Sequence, residues 1–541
     1  MTRPGGETAL GTHEVENQPL PLGGPVAALG DAMLAPHLDG LAPALAEGLE
    51  HYGQALGSAE MREAARDCNR HPPELALFDR GGRRLDEVRF HPGYHRFMAL
   101  SQRAGYAAAA WEGAPGGHLA HAAMVYMASQ VEPGHCCPLT MTHAAIPALA
   151  AQGGFPDWRQ KLMSRHYDPA VAPLAQKGGA TLGMALTEKQ GGSDLRANAA
   201  RAERDGTDWR LSGHKWFCSA PMSDGFLTLA QAPGGLTCFL MPRWLEDRRN
   251  GLRIMRLKDK LGNRSNASAE IEYDRALAWQ LGEEGRGVQA VIAMVHHTRL
   301  DTALAPAGLM RAALAEAHHW VSGRRAFGRR LAEQPLMRRV LADLALDLEG
   351  SLALGMHVAA AFGRPDPESQ AFARIGVALA KYLSNKLCPL VVGEAMEALG
   401  GSGYVEDGPL PMLWREAPLN GIWEGSGNVI CLDILRTLAK VPLAAERLSA
   451  ELEAPAPLDP AYRRALGAFR DRWPGLPGEA EARSFAEHAA LLLAASVLVR
   501  KAPPEIAGDF LRTRIEMPRG RLPGAVAGLA EAPILARLAP G

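Results

Sequence analysis

The sequence predicts a mainly α-helical protein interrupted by one central β-domain. Three observations carry this expectation. Ala- and Leu-rich helical periodicity runs from about Asp31 to Met163, short and partly alternating runs cluster between Thr181 and Gly287, and long helical patterns return after Val288. At 541 residues the chain exceeds one ordinary core, so several domains are expected. We place them at residues 1–180 (helical), 181–287 (β), 288–440 (a four-helix bundle) and 441–541 (an extra helical domain).

In the first segment, loops are marked by "NRHPPEL" and "DRGGRRL". In the second, "TLGMAL", "DWRLSG", "FLTLAQ", "LTCFLMP" and "AEIEYD" read as strands, with turns at Asp205-Gly206 and Pro233-Gly234-Gly235. Their close spacing predicts a compact antiparallel, barrel-like sheet. Val288–Val321, Gln334–Phe362 and Glu368–Leu399 are each long enough for a bundle helix, and a fourth starts after Gly425. The Pro-rich "EAPAPLDP" (453–460) marks an edge before a helical tail.

Composition narrows the function classes. With 47% hydrophobic residues, 22% charged and a net charge of −1, the chain is not basic throughout, although a local basic patch stays open. Of 58 basic residues only ten are Lys, so isolated Arg residues carry little information. Seven scattered cysteines without a C-x-x-C pair fit neither a disulfide framework nor a zinc knuckle and suit a reducing compartment. The N-terminal stretch has no apolar signal core, and the greasiest run, 489–499, is too short to span a bilayer. The expectation is a cytoplasmic protein without a membrane partner.

Two stretches carry possible chemistry. "LTEKQGGSDL" (186–195) places Gly191, Gly192, Ser193 and Asp194 where backbone and hydroxyl donors can approach a phosphate, although ordinary turns use the same residues. Glu188, Lys189 and Gln190 of that loop read equally as solvated. "GIWEGSGN" (421–428) sets Glu424 between a Trp and a Gly-Ser-Gly turn, just before an apolar run. That carboxylate can cap a helix, hold a catalytic proton or face water. No G-x-G-x-x-G opens a helix; "GGSGYVEDG" (400–408) lacks the third glycine.

These two stretches occur in order with "GHKWFCS" (213–219), "RRAFGRRLAEQ" (324–334) and "EALGGSGY" (397–404). The set resembles the acyl-CoA dehydrogenase family over roughly residues 100–440. The wording of "TEKQGGSD", "KLGNRSNAS" (260–268), "FHPGYHRFM" and "CPLTMTHAA", with the long C-terminal extension, is similar to its AidB-type adaptive-response, alkylation-resistance branch. The resemblance implies a helical domain, a β-barrel-like domain and a four-helix bundle binding FAD. It implies flavin contacts at Thr187, Gly192 and Ser193, and at Phe217 to Ser219 along the isoalloxazine. It further implies that Arg324 and Gln334 reach the FAD of a neighbouring subunit in a homo-oligomer, expected as a tetramer. Gly400 and Gly401 would admit the cofactor, and Ser426 and Asn428 would meet it at a helix N-terminus. In the matching motif Glu424 removes the α-proton of an acyl-CoA thioester. Members that carry the base on the first bundle helix place it just before the Arg matching Arg299; here Thr298 stands there.

The chain departs from the typical pattern at three further positions. Phe217 replaces Trp, His296 replaces the Asp of straight-chain members, and Glu397 replaces Gln. The His296 change weakens an expected CoA contact or redirects the pocket. No metal is expected: His91 and His95 are separated by Pro92-Gly93, and His296-His297 and His318-His319 are adjacent pairs facing different ways.

The tail concentrates Arg in "YRRALGAFRDRW" (462–473) and "DFLRTRIEMPRGR" (509–521). Read alone, this is a solvated face; members of the alkylation-resistance branch bind duplex DNA through this added domain and the nearby bundle end. The resemblance therefore makes Arg436, Arg512 and Arg514 candidates for phosphate contacts, without sequence readout. The expected function is an FAD protein that binds duplex DNA non-specifically and protects it from alkylation, with at most weak acyl-CoA dehydrogenase activity. The alternative is a metabolic dehydrogenase of branched or medium-chain acyl-CoA without a DNA role.

Overall fold

The structure is a computed structural model that describes residues 9–518, 520, 524 and 528–539. The N-terminal region consists of α1 (Pro43–Leu56), α2 (Ala59–Arg70), the hairpin β1 (Glu74–Phe78) and β2 (Arg84–Arg89), α3 (Pro92–Ala104), α4 (Gly117–Ser129), α5 (Cys136–Ala151) and α6 (Pro156–Leu162). α4 and α5 are apolar on nearly every face and buried to match. The hairpin lies where the sequence suggested only loops. Asp79 fixes its turn by accepting from the backbone N–H groups of Gly81 and Arg83, at 2.8 and 2.9 Å. Its buried Asp86 accepts from Ile254 N–H at 2.9 Å, so the β-domain holds a strand that local pattern alone does not specify.

The β-domain contains β3 (Leu182–Ala185), β4 (Arg201–Asp205), β5 (Asp208–Ser219), β6 (Gly225–Ala232), β7 (Gly235–Pro242), β8 (Leu252–Leu257) and β9 (Ser268–Leu281). Pairing runs β9–β5–β4–β6–β7 and back to β9, which closes five strands into a barrel-like sheet. β8 extends it from β9, and β3 adds to β6. The sheet is not wholly antiparallel as expected: β3 and β4 each pair with β6 in parallel. Glu188 is fully buried rather than solvated. It sits 2.7 Å from the equally buried Lys215 Nζ and accepts from the N–H groups of Ala199 and Ala200.

The bundle comprises α7 (Gly287–Gly323), α8 (Pro335–Phe362), α9 (Pro367–Ala398), the short α10 (Leu410–Glu416) and α11 (Gly427–Lys440). Beyond it lie α12 (Pro442–Glu453), α13 (Pro460–Arg472), α14 (Ala482–Lys501), α15 (Pro504–Leu511) and α16 (Glu531–Ala536). α14 packs its Phe485, Ala489 and Leu493 into the same continuous core as the bundle. The buried Arg311 guanidinium joins distant parts of the chain, donating to Asp31 Oδ2 at 3.0 Å and to the Leu538 carbonyl at 3.1 Å. Three helical segments, Pro335–Phe362, Pro367–Ala398 and Glu479–Lys501, are long and apolar enough to cross a membrane; their apolar windows are 89%, 78% and 67% buried inside the protein.

Candidate functional site

Glu424 lies between a short 3-10 turn (Leu419–Gly421) and α11, and its backbone is left-handed at φ 57°. Gly425 follows at φ 102°, and Ser426 is the residue that opens α11. Glu424 is therefore not the helix cap, which removes one of its three readings. Two cations fix the bend. Arg299 Nε donates to the Glu424 carbonyl at 3.2 Å, and Lys381 Nζ donates to the carbonyls of Asn420 and Gly425 at 2.8 and 3.0 Å. Trp423 Nε1 donates to Asn420 Oδ1 at 2.8 Å. Asp433 on α11 holds Arg299 at 2.7 Å and Arg374 at 2.8 Å, so its carboxyl stays below the usual carboxylate range.

Burial pushes the Glu424 carboxyl above its ordinary value; a hydrogen bond with Thr298 and the charges of Arg299 and Lys381 partly offset this. Burial also lowers the Lys381 amine to about 7, with Glu424 opposing the shift. A proton acceptor of raised basicity thus lies in the field of an amine whose charge is only marginally held. Neither Arg299 nor Lys381 as a partner of Glu424 was legible from motif spacing, because both come from other helices.

The β5 strand carries further cofactor candidates. Phe217 is 53% exposed, and Lys258 Nζ lies 4.5 Å from its ring centroid and 3.5 Å from that of Trp216. Ser219 Oγ is 3.2 Å from Ser268 Oγ. Burial pushes the thiol of Cys137 on α5 up; the Lys260 charge and the Ser219 side chain draw it down, and the Glu424 charge adds to the rise. Burial lowers the neighbouring Lys260 amine to about 8.

The loop before β4 reaches the same strand. Trp216 N–H donates to the Thr187 carbonyl at 2.9 Å, Thr187 is half-buried, and Ser193 is exposed. A Cβ on Gly192 would meet Thr187 Oγ1 at 2.5 Å, so only glycine fits beside that hydroxyl. Asn428, next to Ser426 at the start of α11, accepts from Arg483 Nε at 2.7 Å. Lys386 Nζ and Arg483 Nη2 lie 3.1 and 3.4 Å from where a Cβ on Gly427 would stand. Two cations at the positive end of a helix dipole oppose the usual preference and fit an anion such as a pyrophosphate. Sequence reasoning missed both Lys386 and Arg483. Gly400 (φ 60°) and Gly401 face open space.

Two predicted cofactor residues are not brought here. Arg324 and Gln334 follow the far end of α7, and at about 1.5 Å per residue roughly 40 Å of helix separates Thr298 from Arg324. Arg324 is half-buried and donates to the Asn17 carbonyl, and Gln334 Nε2 donates to the Ala326 carbonyl at 3.3 Å. Between them a tight hairpin holds Phe327 at its tip, 95% exposed.

The DNA candidates separate. Arg436 is exposed on α11 without an ion-pair partner among the described residues. Arg512 is half-buried and bonded to Asp509 and to the Gly528 carbonyl, each at 2.8 Å. Arg514 corrects the expectation: its guanidinium is buried, 2.8 Å from both Asp343 and Asp347 of α8, and fastens the tail to the bundle. Arg464 and Arg470 of the other Arg-rich stretch pair with Glu516 and Glu453. Arg519 and Arg521 lie outside the described residues.

His91 and His95 do not share a ligand. His91 caps α3, accepting from Gly93 N–H at 3.1 Å, whereas His95 Nδ1 is 2.7 Å from the Tyr167 hydroxyl. His297, however, meets His118 and His143 in a buried group.

Three family models match the chain: the adaptive response protein AidB N-terminal domain over residues 17–169, the acyl-CoA dehydrogenase middle domain over 183–276, and the acyl-CoA dehydrogenase C-terminal domain over 285–439. The chain is 47% identical over 438 residues to AidB of Escherichia coli (strain K12), covering 79% of this chain and 81% of that protein. It is 30% identical over 419 residues to acyl-CoA dehydrogenase family member 11 of Caenorhabditis elegans, covering 73% and 67% respectively. The crystal structure of Caenorhabditis elegans ACDH-11 in complex with C11-CoA shares its fold, with a TM-score of 0.83 and 24% identity over 97% of this chain and 95% of that one. FAD is the cofactor of this fold and of this protein. The half-exposed aromatic on β5, the glycine-dependent Thr187 loop and the cations at the start of α11 all accord with it. By three family-model matches between residues 17 and 439 and 47% identity over 79% of its length, the chain belongs to the acyl-CoA dehydrogenase family, on its AidB-type branch.

Proposed function

We propose that this chain is an FAD-dependent acyl-CoA dehydrogenase in which Glu424 removes the α-proton of an acyl thioester. The observation that carries the reading is Glu424 itself: half-buried, held in a left-handed bend by Arg299 and Lys381, with a carboxyl that desolvation makes more basic. Bound FAD would supply the acceptor for the β-hydrogen, which leaves with its electron pair as hydride. Phe217 and Ser219 would line the ring, Thr187, Gly192 and Ser193 its phosphates, and Ser426, Asn428, Gly400 and Gly401 the remaining contour. Arg299 and Lys381 hold the backbone carbonyls of the bend and, with Thr298, favour the charged form of the carboxylate. A homo-oligomer, of which a tetramer is our expectation, completes each site through Arg324 and Gln334. Seven free thiols support a reducing, cytoplasmic setting.

Anaerobic bleaching of the flavin across a panel of acyl-CoA thioesters tests this reading. Bleaching by at least one straight or branched acyl-CoA, lost in Glu424→Gln at unchanged flavin content, supports it. Flavin absorbance unaffected by the whole panel would sink it.

A second reading, non-specific duplex-DNA binding that protects against alkylation, is favoured by the AidB-type N-terminal match and by the unpaired Arg436. Fluorescence anisotropy at several salt concentrations decides it. Binding that weakens steeply with salt and falls in Arg436→Glu supports a DNA role; no binding at low salt removes it.

A further inference from the structure

We propose that His118, His143 and His297 form a tri-imidazole site for a divalent transition-metal ion, zinc or one of its size. One ring nitrogen from each lies within 4.8 Å of those of the other two. The ring centroids stand 5.5 Å (His143–His297), 5.7 Å (His118–His297) and 6.2 Å (His118–His143) apart. Metal–nitrogen bonds of about 2.0–2.1 Å in a tetrahedron place ligand nitrogens about 3.4 Å apart. An ion would therefore need the rings to close by about an ångström or slightly more, within reach of side-chain adjustment.

One feature separates this group from ordinary packed histidines. Each ring carries a buried nitrogen without a hydrogen-bond partner: His118 Nδ1, His143 Nε2 and His297 Nδ1. Buried polar atoms are nearly always satisfied, so three such orphans in one cluster drawn from three helices call for a ligand. Their neighbour His121, stacked on His143 at 3.6 Å, shows the contrast: its two nitrogens meet the Tyr106 carbonyl and Asp301, so it is no ligand.

The surroundings fit a metal as well. His143 Nδ1 lies 3.3 Å from the Ala107 carbonyl, and donating there leaves the Nε2 lone pair for an ion. Trp111 Nε1 can then donate to the His143 carbonyl at 3.1 Å. The Trp111 ring stands 4.9–5.1 Å from all three imidazoles, and Phe362 lies 5.0 Å from His297, making an aromatic wall against water. Burial keeps the rings neutral, the form that binds metal. With no carboxylate or thiolate in the group, calcium and magnesium are disfavoured, and zinc, cobalt, nickel or copper is selected. Three protein ligands leave one position for water or a small anion. His297 directly precedes Thr298, so the ion would brace α7 in the turn that carries Thr298 and Arg299. The proposal stands independently of any dehydrogenase activity.

The test is a Co²⁺ titration of the full-length, FAD-loaded protein after chelator treatment, read by ligand-field absorption to the red of the flavin bands. The expected result is about one Co²⁺ per chain, displaced by Zn²⁺. His118→Ala and His297→Ala should each weaken binding by roughly tenfold or more, while the exposed His51→Ala leaves it unchanged. Absence of the band, or binding indifferent to both cluster substitutions, overturns the proposal. Should the variants fail to fold, zinc-edge anomalous scattering from metal-soaked wild-type crystals decides. A peak between the three rings supports the site, and no peak there overturns it.

Discussion

Glu424 holds a backbone conformation that costs a non-glycine residue about 1–2 kcal/mol. The cost is tolerated because Arg299 and Lys381 grip the carbonyls on either side of the bend. Strain stored at a single carboxylate-bearing residue is what a positioned base requires. Glu424→Gln keeps the shape and removes the basicity, so acyl-CoA-dependent flavin reduction should fall roughly 100- to 10,000-fold in single-turnover assays. The pH profile follows from the same contacts. The active form is the carboxylate and its pKa is raised, so kcat/KM should rise with pH along an acid limb lying above the ordinary glutamate value. Lys381→Met removes a cation that favours the charged form, so that limb should move to still higher pH. An unmoved limb would show that the amine acts only through the backbone carbonyls it holds.

At the scale of elements, legibility follows the range of the interactions. The long bundle helices stand within a residue or two of their expected limits, because a 3.6-residue apolar period is a local signal. β4, "RAERD", has a single buried residue, and β8 is interrupted by a bulge near Arg256, so neither alternates clearly enough to be read. The parallel pairings of β3 and β4 join strands distant in the chain and leave no local trace. Much of the site was legible because ordered motifs carry it. Lys381, Lys386 and Arg483 were not, since their roles exist only after helices pack. Arg514 shows the reverse error: an Arg-rich stretch looked like surface, yet this guanidinium is buried against α8. Arg514→Leu withdraws a cation from two buried carboxylates and should destabilise the fold by about 3–5 kcal/mol, seen as a lower melting temperature. Arg436→Glu, on an exposed face, should change stability by no more than about 0.5 kcal/mol. DNA binding that responds to Arg436 but not stability therefore reports contact, whereas an effect of Arg514 reports unfolding.

For the whole molecule, the decisive geometry is the length of α7. It carries Thr298 and Arg299 beside Glu424 near one end and delivers Arg324 at the other, roughly 40 Å away. One chain cannot bring Arg324 to the cofactor that its own Glu424 faces, but a neighbour placed by symmetry can. Phe327, exposed on the hairpin beside Arg324, is a side chain that such a neighbour would cover. Complementation between two inactive chains tests this directly. Glu424→Gln lacks the base but keeps its guanidinium, and Arg324→Ala keeps the base but offers nothing to the next subunit. Mixed assemblies should contain sites with both groups intact, formed from the base of one chain and the guanidinium of the other. If subunits pair at random, equal co-expression should restore about a quarter of wild-type activity, while each variant alone stays near zero. Mixtures no more active than the better single variant would mean that Arg324 serves only its own chain, and the shared-site arrangement would fall.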